Sequence, residues 1–306
     1  MDGRKASLTS SRRPAAQTVS VERLRARYQL CRRTQLTLEA RADIGVIGGS
    51  GFYSLLDDVH EIPVSTPYGP PSDSLFIAEV GGRGVAFLPR HGRSHTIPPH
   101  QINYRANIWA MHQAGVRYLI SPCAAGSLQK HIKPEDFVVC DQFVDRTRGR
   151  KDTFFDGPEV AHVSAAEPYC PHLRKLAVAV TEAHNICVHP RGTVVVVQGP
   201  RFSTRAESQW FTRAGWEVIS MTQYPESYLA LELGIAPVNI SLITDYDVGL
   251  VADGEVPAVT ASDVMAVFKR NSDRIRGVVL DLIRRIPPDL DSPCHHLAAV
   301  AKVGEA

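Results

Sequence analysis

Apolar, β-branched runs recur along this chain, and they alternate with stretches whose apolar residues fall at helical spacing. That alternation is the strongest constraint on the fold. Strands that take turns with helices build a parallel or mixed sheet covered on both faces. The strand-like runs are 43–47, 75–80, 84–88, 116–121, 137–140, 193–197, 218–221 and 236–244. Helical spacing marks 104–114, closed by Gly115, then 172–184, 225–233 and one long amphipathic stretch, 262–285. A further helix is expected up to Ala214, capped by Ser203 with Glu207 in its first turns. Gly81-Gly82 turns 75–80 and 84–88 into a hairpin. No repeat or linker divides the body. The expected fold class is α/β: one domain over 42–288, with a twisted mixed β-sheet flanked by helices. Residues 289–306 read as a C-terminal tail.

The net charge of +2 misrepresents the body. Residues 1–41 hold ten Lys/Arg and three Asp/Glu, and the remainder carries 24 basic against 29 acidic side chains. The basicity belongs to an Arg- and Ser-rich extension over 1–41, expected to be poorly ordered; a transit peptide, a basic tail and an upstream start codon all fit it. A nucleic-acid binder carries its basic stripe on the fold, so no nucleic-acid partner is expected. No apolar run approaches the roughly 18 residues that span a bilayer, so no membrane partner is expected either. Six cysteines are scattered with no Cys-x-x-Cys, which argues against a zinc site and a disulfide framework. The setting expected is reducing and cytoplasmic.

The candidate chemistry gathers after strands. Asp245-Tyr246-Asp247 follows the buried run 236–244. In an open α/β sheet ligands bind beyond the carboxyl ends of strands, and residues i and i+2 of a strand share a side. Two carboxylates sharing a dry site cannot both ionise cheaply, so one stays protonated. A protonated acid beside an acceptor matches a ring nitrogen beside an amino group, as on adenine at N7 and N6. A solvated Asp-rich turn is the plain alternative. Gly48-Gly49-Ser50-Gly51 follows the first strand and suits a phosphate cradle; a dinucleotide fingerprint lacks its third glycine there, and a tight turn needs no ligand. Arg90-His91 follows another strand, and arginine grips phosphate bidentately. His91 and His95 have metal-ligand spacing, but Gly92 and Pro98-Pro99 oppose the helix this would need. No metal is expected. Cys123 lies in a run of small residues, Ser121-Pro-Cys-Ala-Ala-Gly-Ser127, with no local base to activate it. Phe202 is placed to stack on a base, Thr222 to offer a hydroxyl to an anion, and Met221 to cover a sugar face.

Taken together these motifs resemble the methylthioadenosine phosphorylases of the trimeric purine nucleoside phosphorylase family, over roughly residues 43–287. The resemblance is carried by Ile-Gly-Gly-Ser-Gly (47–51), Thr-Pro-Tyr-Gly-Pro-Pro-Ser-Asp (66–73), Arg-His-Gly-Arg-Ser-His (90–95), Asn-Tyr-Arg-Ala-Asn-Ile-Trp-Ala (103–110), Asp-Gln-Phe-Val-Asp-Arg-Thr (141–147), Gly-Pro-Arg-Phe-Ser-Thr-Arg-Ala-Glu (199–207), Met-Thr-Gln-Tyr-Pro-Glu (221–226) and Thr-Asp-Tyr-Asp (244–247). It implies a nucleoside phosphorylase-like fold and phosphorolysis of 5′-methylthioadenosine, with inorganic phosphate as co-substrate and no cofactor. By the same resemblance Ser50, Arg90, His91, Cys123, the Ala124 amide and Thr222 line the phosphate subsite. Met221, Phe202 and Thr244 fall at nucleoside positions, and Asp245 and Asp247 engage adenine, with Asp245 as proton donor to N7. His162 matches a residue that a neighbouring subunit contributes, which implies a homotrimer. Cys123 departs from the threonine of many relatives; a thiol is a weaker donor.

The competing readings are a purine nucleoside phosphorylase preferring adenosine, methylthioinosine or a 5′-halogenated adenosine, and, outside catalysis, a purine-nucleoside-binding protein.

Overall fold

The computed structural model describes residues 42–48, 58–248, 250 and 260–303. The extension over 1–41 and the turn with Ser50 lie outside them.

The sheet grows outward from one long central strand, β5. In chain order the first half supplies β1 (Ile44–Gly48), β2 (His60–Ile62), β3 (Leu75–Val80), β4 (Arg83–Pro89), then helix α1 (Tyr104–Ala114) and β5 itself (Tyr118–Ser127). β3 and β4 form the expected hairpin, and Gly81 and Gly82 at its tip hold positive φ of 61° and 77°, which side chains resist. β1 lies between β4 and β5, parallel to both.

The second half adds β6 (Phe137–Val138), β7 (Gln142–Arg146), β8 (Val160–Ala161), α2 (Pro171–Ala183), β9 (Val188–His189), β10 (Thr193–Val197), α3 (Arg205–Arg213), β11 (Val218–Ser220), α4 (Gln223–Glu232) and β12 (Ala236–Tyr246). β12 runs parallel to β5 along its whole length, from Ala236↔Tyr118 to Tyr246↔Ser127, with one register shift between Ile243 and Asp245. The other edge of β5 is shared. β1 takes residues 118–120, and β11 takes 126–127 in antiparallel sense. Between those partners, 121–125 have no strand on this edge among the described residues. Beyond β11 the sheet continues through β10 to β7, and beyond β12 through β6 to β9.

Strand residues on both faces are apolar, so both faces must be covered. Ile44, Val46, Phe87 and Ile120 turn one way, onto Leu173 and Val180 of α2 and the late residues Val278 and Leu282. Ile47, Leu88 and Leu119 turn the other way, onto Ile108 and Met111 of α1 and Leu229 of α4. Each such side chain, fully buried, contributes about 1.5–3 kcal/mol. Gly45 shows how closely α1 approaches: a Cβ there would lie 2.9 Å from Val116 Cγ1 and 3.0 Å from Met111 Sδ.

Four elements differ from the expected ones. β5 does not stop at the small residues but runs on through Ala124, Ala125 and Gly126, because β12 pairs with it throughout. The helix ending at Arg213 is capped by Thr204, not Ser203; Thr204 and Glu207 exchange the two bonds of a capping box. The long helix over 262–285 is two, α5 (Ala261–Arg270) and α6 (Ser272–Arg285), broken at Asn271. The segment expected as a tail packs back on the domain: Tyr118 donates to Leu290 O at 2.6 Å, Cys294 is buried, and a short helix α7 (Leu297–Val300) leads to β13 (Lys302–Val303), which pairs with β8. No helix among the described residues is long and apolar enough to cross a membrane.

Candidate active site

The gap beside 121–125 of β5 opens into a cavity of about 1330 Å³. The topology explains its position. β1, β4 and β12 all run parallel to β5, so the loops after β4 and the end of β12 arrive at one rim. β11 runs the opposite way, with Ile219 beside Gly126, so Met221 and Thr222 continue back toward Cys123. Ten of the twelve residues expected at the site line this cavity. Ser50 lies outside the described residues. His162 is exposed just after β8, its N–H bonded to Ala301 O at 2.9 Å, and it does not line the cavity of its own chain.

One end is cationic and rich in donors. Arg90 follows β4 and is buried, with its Nε and Nη2 bonded to the two carboxylate oxygens of Glu226 at 2.7 and 2.8 Å. Nη2 also donates to Ile47 O at 2.7 Å and to Ser121 Oγ at 2.9 Å, while Nη1 reaches only Pro122 O, at 3.3 Å. Burial works against the charge, and Glu226 overcomes it, holding the guanidinium above its ordinary range. Glu226 thus fixes Arg90 and leaves Nη1 the least engaged edge. His91 is pushed down to about 4, first by burial and then by the Arg90 charge. It is neutral at pH 7. Its Nδ1 lies 2.8 Å from Ile97 O, a carbonyl that only accepts, so Nδ1 carries the proton and Nε2 is an acceptor. Thr222, 6% exposed, stands before α4 without making a side-chain cap. Cys123 is buried, 3.5 Å from both Ser241 Oγ and Asn239 Nδ2.

The other end holds the carboxylates. Asp245, in the last residues of β12, and Asp247, just past its end, both line the cavity. Asp245 is pushed up to about 6, by burial first and by the neighbouring Asp247 charge, against the Thr244 hydroxyl that donates to its Oδ1 at 2.6 Å. Asp247 is raised as well, again by burial, with the Ser208 hydroxyl opposing. Its Oδ2 is buried without a hydrogen-bond partner among the described residues. Gly126 makes room for Asp245, whose Oδ2 would lie 3.2 Å from a Cβ there. Between the two ends, Phe202, Ile219, Met221 and Pro99 form an apolar wall, with Phe202 41% exposed.

The far wall comes from α5 and α6, through Ser262, Met265, Lys269 and Asp273. Neither this wall nor Glu226 was expected from the sequence. Glu226 stands inside the quoted Met-Thr-Gln-Tyr-Pro-Glu motif, but nothing in a helical apolar pattern announces that its carboxylate meets an arginine 136 positions away.

Residues 43–284 match the phosphorylase superfamily as a family. The chain belongs to the phosphorylase superfamily. Among its relatives in that superfamily, a purine nucleoside phosphorylase of Streptomyces coelicolor is 51% identical over 266 residues, 84% of this chain and 94% of the relative. An S-methyl-5′-thioadenosine phosphorylase of Thermofilum pendens is 48% identical over 256 residues, 83% of this chain and 96% of the relative. The fold of this phosphorylase also superposes on solved structures. A methylthioadenosine phosphorylase from an antarctic soil metagenomic library gives a TM-score of 0.81 at 39% identity, covering 86% of this chain and 93% of that one. A methylthioadenosine phosphorylase of Schistosoma mansoni in complex with adenine gives 0.75 at 35% identity, covering 79% and 91%.

Proposed function

We propose that this phosphorylase cleaves 5′-methylthioadenosine with inorganic phosphate, releasing adenine and 5-methylthioribose 1-phosphate. The observation that carries the reading is geometric: one cavity is lined at one end by the neighbouring carboxyls of Asp245 and Asp247 and at the other by a buried arginine, Arg90, fixed by Glu226. Phosphate sits against the open edge of Arg90, the Thr222 hydroxyl, the Ala124 amide and Cys123, with Ser50 as a further donor. The phosphate's remaining P–OH donates a hydrogen bond to Nε2 of the neutral His91. Adenine lies beside Phe202 and Thr244, its amino group donating to the unpartnered Oδ2 of Asp247 and its N7 facing Asp245. Met221 covers the ribose.

The chemistry follows from these positions. Protonated Asp245 gives its proton to N7 as the C1′–N9 bond breaks, and the bond pair withdraws into the purine. A phosphate oxygen attacks C1′ from the opposite face, with inversion. Asp245 is left as a carboxylate and regains its proton from solvent. Holding the two reactants in line supplies most of the acceleration, and general-acid help supplies about 10²–10⁴-fold. Adenine is favoured over 6-oxopurines because an ionised Asp247 accepts from an amino group and repels O6. The exposed position of His162 supports a homotrimer in which it completes a neighbour's nucleoside pocket.

A second reading is favoured by the Streptomyces coelicolor relative, which is named for purine nucleosides in general. It keeps the mechanism and changes the 5′ or 6 substituent. Release of the free base from methylthioadenosine, adenosine, methylthioinosine and 5′-halo-5′-deoxyadenosine, each with and without phosphate, separates the readings. Phosphate-dependent release fastest from methylthioadenosine is expected. Preference for another nucleoside changes the substrate, and no phosphate-dependent release overturns the proposal.

A further inference from the structure

At the edge of the sheet where β6 meets β9, three side chains of different chemistry converge outside the cavity: Asp136, Cys187 and His189. A carboxylate oxygen, a thiol sulfur and an imidazole nitrogen there all lie within 4.8 Å of one another. Backbone geometry dictates the convergence. Cys187 and His189 are i and i+2 around Val188, so they share one side of their strand. β6 pairs in parallel with β9, Phe137 opposite Val188, which brings Asp136 beside Cys187 on that same side. Phe137 N–H donates to Cys187 O at 2.9 Å and Val139 N–H to His189 O at 3.0 Å, so the donors stand on a bonded frame.

We propose that Asp136, Cys187 and His189 form a binding site for a zinc-like divalent cation. The donor set selects the ion. One sulfur, one imidazole and one carboxylate suit zinc or cobalt, whereas magnesium and calcium prefer oxygen alone. A carboxylate and a thiolate together also balance a charge of two. Around tetrahedral zinc such donors sit about 3.3–3.7 Å apart. His189 Nε2 is 2.9 Å from Asp136 Oδ2, so coordination needs an opening of a few tenths of an ångström there. The widest pair needs a contraction of about 1 Å at most. Cys187 is exposed and gives the ion a way in. Three protein donors leave the fourth position of a tetrahedral ion to water.

The site would act as a brace. Glu135 N–H donates to Ile243 O at 2.7 Å, and Ile243 N–H to Asp136 O at 3.0 Å. A metal held by Asp136 therefore clips the turn before β6 to β9, beside β12, the strand that carries Asp245. Cys187 and His189 lie 51 and 53 residues after Asp136 in the chain and meet it through β6–β9 pairing, so no local spacing marks the group.

The proposal stands independently of the phosphorylase reading, and so does its test. Full-length, untagged, chelator-treated protein is titrated with Co²⁺ and then with Zn²⁺. One Co²⁺ per chain is expected, with a thiolate-to-cobalt charge-transfer band that Zn²⁺ removes. Cys187→Ser should lose the band and bind Zn²⁺ more than about 100-fold more weakly, beyond what loss of an outer partner causes. His189→Ala should show the same weakening through a different ligand, and unfolding curves without metal verify that both variants fold. Absence of the band in the wild type, or its persistence in Cys187→Ser, overturns the site.

Discussion

Replacing Asp245 by asparagine should make the protein a worse enzyme and a more stable fold. The side chain keeps its shape, and Oδ1 still accepts from Thr244, so the change removes the charge and little else. The carboxyl rises from its ordinary 3.8 to about 6 in the folded chain. Folding therefore binds a proton between those values, and the ionised form burdens the native state. The raised value means that stability is greatest below the unfolded value and falls as pH rises through about 4–6. At pH 8 the full burden is about 3 kcal/mol, and at pH 5 it is about 1.6 kcal/mol. Asparagine removes it at both. For a chain of this size the gain at pH 8 corresponds to roughly 5–10 °C in the unfolding midpoint, and the advantage should halve at pH 5. The assay is thermal unfolding of wild type and Asp245→Asn in phosphate-free buffer at the two pH values, beside turnover of methylthioadenosine. Turnover should fall about 10²–10⁴-fold. A variant no more stable than wild type at pH 8, or an advantage that does not shrink at pH 5, would refute the burial argument. Undiminished turnover would remove Asp245 from the acid role.

Two further substitutions probe the surroundings. Glu226→Gln leaves the Arg90 charge buried without its counter-charge, so stability should drop by about 3–5 kcal/mol in denaturant unfolding, and the phosphate KM should rise as the guanidinium loses its fixed pose. Gly126→Ala puts a methyl 3.0 Å from Ile219 Cγ2 and 3.2 Å from Asp245 Oδ2; displacing that carboxylate should lower kcat about 10–100-fold while far-ultraviolet circular dichroism stays unchanged.

Much of this architecture is legible in the sequence because single segments decide it. The run over 193–197 is wholly β-branched and is a strand with those bounds, and Gly115 closes α1 with a φ of 92° that few other residues adopt. What escapes is whatever a distant partner decides. Ala124-Ala125-Gly126 has poor strand propensity and joins β5 because β12, and at Gly126 also β11, pairs with it. The apolar period continues straight through Asn271, so nothing in it marks the break between α5 and α6. The same division runs through the cavity. The carboxylates were legible because they end a recognisable strand, whereas Glu226 and the α5–α6 wall take their places through packing between remote segments.

The long edge of β5 that pairs with β12 has a consequence for biosynthesis. Its full-length partner, β12, ends 119 residues after β5 does. At a translation speed of about 5–20 residues per second, the finished strand waits roughly 6–24 s for that partner. An exposed strand edge is a template for wrong pairing in the meantime. Pro122, in the middle of β5, has no N–H to offer such a template, and the alanines and glycine after it give a stray strand little to pack on. The residues that leave room for a ligand thus also make β5 a poor template for stray strands while its partner is still missing.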